Sequence, residues 1–153
     1  MGDTQNIGDL VMTDQQLIDI AQAPMIAFNQ RDWAGLKSCT TADFVYDEVA
    51  AHRKVEGSDQ VTKMWKEWVI ALPDCHGTFV NAFVSGGKVV CDEWIMRATH
   101  TGPMQTPDGE IPATGKSIEI RACRIVEIEG DKVKLIRWYY DAMTMMQQLG
   151  LAG

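Results

Sequence analysis

Hydrophobic residues recur at intervals of three and four along the first half of the chain and at intervals of two along the second, so helices are expected first and strands afterwards. Thr13 and Gln16 form a capping box ahead of Leu17, Ile18, Ala21, Met25 and Ile26, which share one face of a helix that Pro24 should kink or split. A short helical turn over residues 33–38 follows, and then Phe44-Val45-Tyr46-Asp47, a brief apolar run that reads as a strand. Gly57 and Ser58 break the chain. Beyond them Val61, Met64, Trp65, Trp68, Val69 and Leu72 lay a wide apolar stripe along a helix that Pro73 ends.

From residue 78 the period changes. Residues 78–84, 88–101, 117–128 and 132–140 are β-rich, and Ser85-Gly86-Gly87 and Glu129-Gly130-Asp131 are tight-turn sequences, which predicts hairpins of one antiparallel sheet. The segment 102–115 carries three prolines and three glycines and is too long for a turn, so it is expected to be a loop and a candidate lid. Residues 143–149 read as a short closing helix. Helices with one apolar face, followed by a four-strand meander, predict an α+β domain. Its long, twisted, strongly curved antiparallel sheet wraps around the N-terminal helices and leaves a conical hollow.

At 153 residues, 46% of them hydrophobic and five of them Trp, the chain fits a single domain over 13–153 behind a flexible tail, 1–12. The formal charge of -7, with no cluster of Lys or Arg, argues against nucleic acid as a partner. Neither a signal peptide nor a membrane-length apolar run is visible, so the protein is expected in the cytoplasm, with its four scattered cysteines reduced. His52, His76 and His100 lack metal-ligand spacing, and no nucleotide motif is present, so neither a metal nor a cofactor is expected.

Several blocks together resemble one family. They are Asn29-Gln30-Arg31-Asp32-Trp33 with Asp43-Phe44-Val45, Leu72-Pro73-Asp74, Thr99-His100-Thr101-Gly102, Pro112-Ala113-Thr114-Gly115-Lys116, and Asp141 followed by Gln147-Gln148-Leu149-Gly150. In order and spacing they resemble the SnoaL-like polyketide (ester) cyclases, within the NTF2-like, cystatin-like cone folds. The resemblance implies a cofactor-free acid/base enzyme that closes a ring by intramolecular aldol chemistry, or isomerises a related keto ester, with Asp141 at the position of the family's acid/base. The turn Gly130-Asp131-Lys132 and the cation Arg124 depart from the family's usual pattern; Arg124 raises the prospect of a substrate carboxylate.

Read as chemistry, Asp141 ends the aromatic run 136–140, where a low dielectric would raise its pKa and suit a general base; as a helix N-cap it would be structural. His100 is the second catalytic candidate, as a donor to an enolate, or else a strand-end residue bonded to backbone. Arg121 and Arg124 must face opposite ways, so at most one enters the pocket, and Arg121 is the named candidate. Trp94 and Met96 share a face with His100 and offer an apolar wall, and Tyr139 shares a face with Asp141 if the strand runs straight; a bulge would reverse that. Trp65 and Trp68 are expected to be core. Two alternatives stay open: an epoxide or lactone hydrolase, needing a second acid such as Asp47 or Glu119, and a non-catalytic small-molecule-binding module. A homodimer through the uncovered sheet face is expected in every case.

Overall fold

The computed structural model describes residues 11–152, so the expected tail, 1–12, lies almost wholly outside the described residues. Helix α1 (Asp14–Gln30) opens on the expected capping box: Gln16 N–H donates to Thr13 Oγ1 at 3.2 Å and Thr13 N–H to Gln16 Oε1 at 2.8 Å. The break expected at Pro24 does not occur. Pro24 is buried in an unbroken helix, and the face formed by Leu17, Ala21, Met25 and Phe28 offsets the roughly 3 kcal/mol that an interior proline costs. Arg31, in a left-handed conformation, ends the helix, and its guanidinium donates to the carbonyls of Phe28, Pro73 and Cys75, each at 2.8 Å.

There follow α2 (Trp33–Ser38), β1 (Thr40–Glu48), a 3-10 turn (Val49–Ala51), β2 (Arg53–Glu56) and α3 (Ser58–Ala71). The second half holds β3 (His76–Ser85), β4 (Val89–Thr99), β5 (Met104–Thr106), β6 (Gly109–Ile111), β7 (Ser117–Glu129), β8 (Lys132–Tyr140) and α4 (Ala142–Gln148). The main sheet has the order β2-β1-β8-β7-β4-β3. Its β3-β4-β7-β8 part is the expected antiparallel meander, but β1 joins β8 in parallel, an arrangement that the long intervening chain permits. Strand β2 was not expected, and the supposed loop 102–115 contains a small hairpin, β5–β6.

Alternation along the strands sorts side chains onto two faces. Val90, Asp92, Trp94, Met96 and Ala98 of β4, and Ile118, Ile120, Ala122, Arg124, Val126 and Ile128 of β7, are buried toward the helices. Strand β8 starts in the same phase with Val133 and then changes it. Glu127 and Ile128 are neighbours on β7, yet they pair with Leu135 and Val133, so Lys134 is an extra residue, a bulge. After it Ile136, Trp138 and Tyr140 turn inward, and Arg137, Tyr139 and whatever follows in that phase turn out. The core packs edge to face: Trp65 meets the rings of Phe28 and Tyr46, each at 5.4 Å. Among the described residues no helix is long and apolar enough to cross a membrane.

Candidate active site

Between the inner face of the sheet and helices α1 and α3 lies a cavity that opens to solvent at its mouth. Its walls are apolar: Met25 and Phe28 of α1, Trp65 and Trp68 of α3, Met96, Ile118, Ile120, Ile136 and Trp138 of the sheet, and Met145 of α4. Four polar side chains also line it, Tyr46, Glu48, Arg124 and Tyr140. Cys75 lines it as well, its thiol pushed up to about 11 by burial and so uncharged at neutral pH.

Three of the four polar groups come from one end of the sheet. Phe44, Tyr46 and Glu48 alternate inward along β1, and the parallel seam sets them beside the inward residues of β8. The carboxylate of Glu48 is buried. Its Oε2 accepts from Nε and Nη2 of Arg53, at 3.0 and 2.6 Å, and its Oε1 accepts from the Tyr140 hydroxyl at 3.0 Å. Burial first, and the charge of Glu48 second, push the phenols of Tyr46 and Tyr140 far above their ordinary range, so both remain donors. Arg124 is also buried. It donates from Nε to Asp92 Oδ1 at 2.9 Å, from Nη2 to Asp92 Oδ2 at 2.5 Å and to the Ala21 carbonyl at 2.9 Å. The ring of Trp94 backs it, 5.2 Å from the guanidinium carbon. Register places Glu48, Trp138, Arg124 and Asp92 in one row across four strands, with two carboxylates, each holding its own guanidinium, on either side of a tryptophan.

The residues singled out from the sequence are scattered by this geometry. Met96 lines the cavity, and Trp94 faces the same way but lies behind Arg124. Arg121 and Tyr139 lie on the outer face of the sheet, in a groove with Asp141, because Arg124 takes the inward phase of β7 and the Lys134 bulge turns Tyr139 out. The expected entry of Arg121 and Tyr139 into the hollow is thus corrected. Asp141 stands just past the strand as the N-cap of α4, exposed, accepting from the backbone N–H and the hydroxyl of Thr144 at 2.9 and 2.6 Å. Those two bonds, the hydroxyl's foremost, lower its pKa, the reverse of the rise expected from an apolar setting.

His100 is fully buried at the stem of the β5–β6 hairpin, where its Nδ1 faces the hydroxyl of Thr114 at 3.0 Å and accepts from the Thr114 N–H at 3.3 Å. It does not line the cavity. Of the second acids considered, Glu119 faces out and pairs with Arg97 at 2.8 Å, and Asp47 takes the outward phase of β1. The carboxylate that the cavity does contain, Glu48, went unnamed in the sequence. The even phase of Phe44 and Tyr46, carried one step further, was the signal for it. The hairpin itself sits over the mouth: Met104, Gln105, Thr106 and Ile111 line an outer pocket that shares Glu48, Trp68, Tyr140 and Met145 with the cavity. Among the described residues no group of three or more His, Cys, Asp or Glu stands together as a metal site.

Residues 18–149 match the family model of the SnoaL-like polyketide cyclases, and the chain belongs to that family. Solved structures place its fold among the NTF2-like, ketosteroid isomerase-like cones. A protein of Jannaschia sp. CCS1 assigned to the SnoaL-like polyketide cyclases superposes with a TM-score of 0.79 at 15% identity, over 95% of this chain and 96% of the other. IdmH of Streptomyces antibioticus, assigned as a polyketide cyclase, gives 0.74 at 20%, over 88% and 99%. An LEH-like epoxide hydrolase of M. tuberculosis gives 0.69 at 15%, over 91% and 92%. No curated protein sequence matches the chain.

Proposed function

We propose that the protein is a cofactor-free acid/base enzyme that removes a proton from carbon beside a carbonyl group, in a small polyketide-like ketone or keto ester, as the first step of ring closure or isomerisation. One observation carries this reading: in a mainly apolar cavity the only carboxylate among the lining residues, Glu48, is buried and flanked by two phenols that cannot ionise at neutral pH. Glu48 takes the role first expected of Asp141, and Tyr46 that of His100, while the Tyr140 O–H is spent on holding Glu48. The carboxylate oxygen Oε1 accepts the C–H proton, the electron pair moves onto the carbonyl oxygen, and a phenolic O–H stabilises the enolate. Trp138, Phe28 and Met96 supply flat apolar walls for the carbon skeleton.

Exchange of the C1 protons of 2-tetralone for deuterium tests the reading, followed by proton NMR in heavy water. Wild-type protein is expected to accelerate it and Glu48→Gln to abolish the acceleration. Binding of ketones with no protein-dependent exchange would move the chain to the non-catalytic binding modules. A hydrolase of epoxides or lactones is the second reading, favoured by the likeness to the LEH-like enzyme and by the second buried acid, Asp92. It would show as solvent oxygen incorporated into product. The same reading includes a reducing, cytoplasmic setting, which suits four free thiols. It also includes a homodimer through the outer sheet face, where Val80, Phe83 and Tyr139 are 42 to 56% exposed.

A further inference from the structure

The geometry points to a recess built from two donors, Nη1 of Arg124 and the hydroxyl of Tyr46, that takes the oxygen of an uncharged carbonyl compound and turns carboxylates away. This deepens the proposed function and rests on it, since it names the substrate class of the same cavity.

Arg124 lines the cavity, yet its position is fixed from behind. Nε and Nη2 are committed to Asp92 and to the Ala21 carbonyl, and Trp94 stacks against the guanidinium. Nothing among the described residues accepts from Nη1, so its N–H groups remain for an occupant of the cavity. The Tyr46 hydroxyl is in the same condition: it lines the cavity and has no hydrogen-bond partner among the described residues. Register brings the two together on one face. Tyr46 lies beside Ile136, Ile136 pairs with Val126, and Arg124 is the next inward residue from Val126 on β7.

Charge then selects the ligand. Asp92, fully buried, matches the charge of Arg124, and Arg53 matches that of Glu48. The cavity therefore offers strong donors without a net positive charge. A ketone or ester oxygen gains a charge-assisted bond there and leaves no ion uncompensated. A carboxylate would be desolvated with no free countercharge and would face Glu48 as well. The substrate carboxylate that Arg124 suggests in the sequence is thus disfavoured by the residue that holds Arg124 in place.

Three probes on one skeleton test this: 2-tetralone labelled with carbon-13 at its carbonyl, tetralin, which lacks the oxygen, and the tetralin-2-carboxylate anion. Binding is measured by equilibrium dialysis and the carbonyl shift by NMR. Wild-type protein is expected to bind the ketone about tenfold more tightly than either analogue, with a downfield carbonyl shift that Tyr46→Phe reduces. Asp92→Asn frees the charge of Arg124 and is expected to improve carboxylate binding about tenfold; circular dichroism establishes that each variant is folded. Equal or tighter binding of the carboxylate by wild type, no measurable ketone binding, or a carbonyl shift absent or indifferent to Tyr46→Phe would each overturn the inference. Should Asp92→Asn not fold, the wild-type ranking and Tyr46→Phe decide. Deuterium exchange indifferent to Glu48→Gln would sink the base assignment alone and leave the carbonyl shift as it was.

Discussion

The hydroxyl of Tyr140 donates to Oε1 of Glu48 at 3.0 Å, joining the last inward residue of β8 to the last inward residue of β1 across the parallel seam. The bond fixes which oxygen of Glu48 faces the hollow, because Arg53 holds the other. Removing the hydroxyl alone, Tyr140→Phe, is expected to cost about 1–2 kcal/mol in urea unfolding. The same change should slow tetralone exchange while leaving ketone binding within about twofold, since a single hydrogen bond that the ligand does not share is lost.

Tyr46 and Tyr140 should remain phenols for as long as the protein stays folded. Their folded pKa values lie above the ordinary value near 10, so above that pH the unfolded chain has lost protons that the folded chain keeps. Stability is then fully present below about pH 10 and falls as pH rises beyond it. In an alkaline titration, the phenolate absorbance of two of the three tyrosines is expected to appear only together with loss of the circular dichroism signal. Three tyrosines ionising in folded protein would contradict the burial described here.

Asp141 and Glu48 make opposite predictions. Asp141→Ala should lower the melting temperature through loss of the α4 cap and leave tetralone exchange intact, whereas Asp141→Asn keeps the cap and changes little. The folded pKa of Asp141 is depressed, so its contribution is present above the ordinary value of 3.8 and lost as pH falls through the lower folded one. The stability gap between wild type and Asp141→Ala should therefore narrow in acid. A loss of exchange in Asp141→Ala, with folding intact, would return the base to Asp141.

Breaking the buried pair from one side should be far worse than removing it whole. Arg124→Met leaves Asp92 buried and unpaired and is expected to cost about 3–5 kcal/mol, while the double change Asp92→Leu with Arg124→Met should cost less than that single. Urea melts of the two singles and the double provide the cycle.

Gly102 admits no side chain: a methyl group there would overlap the carbonyl oxygen of Ile70 at the end of α3. Gly102→Ala is expected to lift the β5–β6 hairpin off its seat, where the Gly102 N–H bonds to the Ala71 carbonyl at 3.1 Å and Met104 is buried. Limited proteolysis should then cut within residues 103–113 faster than in wild type, with the rest of the chain resistant.

Much of the architecture was legible in the sequence because it depends on local period. The stripe from Val61 to Leu72, the capping box at Thr13 and the turns at Gly86-Gly87 and Gly130 each specify an element within a few residues of themselves. The site was less legible, because it depends on relations that local period does not contain. Nothing near Glu48 says that β1 will lie beside β8. The opposed facing of Arg121 and Arg124 was readable from alternation, but which of them faces in is fixed by the helices that cover one side. Asp141 follows an apolar run, yet its environment is set by Thr144, three residues on, which draws the carboxylate into a cap.

The extra residue at Lys134 has a consequence beyond this chain. It absorbs one step of the alternation: with Lys134 deleted, Leu135 would follow Val133 and Ile136, Trp138 and Tyr140 would keep the inward face, whereas a strand that kept Lys134 and ran straight would turn Arg137, Tyr139 and Asp141 inward without a single substitution. Two chemically different linings of one cone are thus a single bulge apart, one with its acid on the last strand and one, as here, with its acid on the first. Between relatives of this fold that differ in that bulge, residues matched one for one along β8 do not occupy equivalent places.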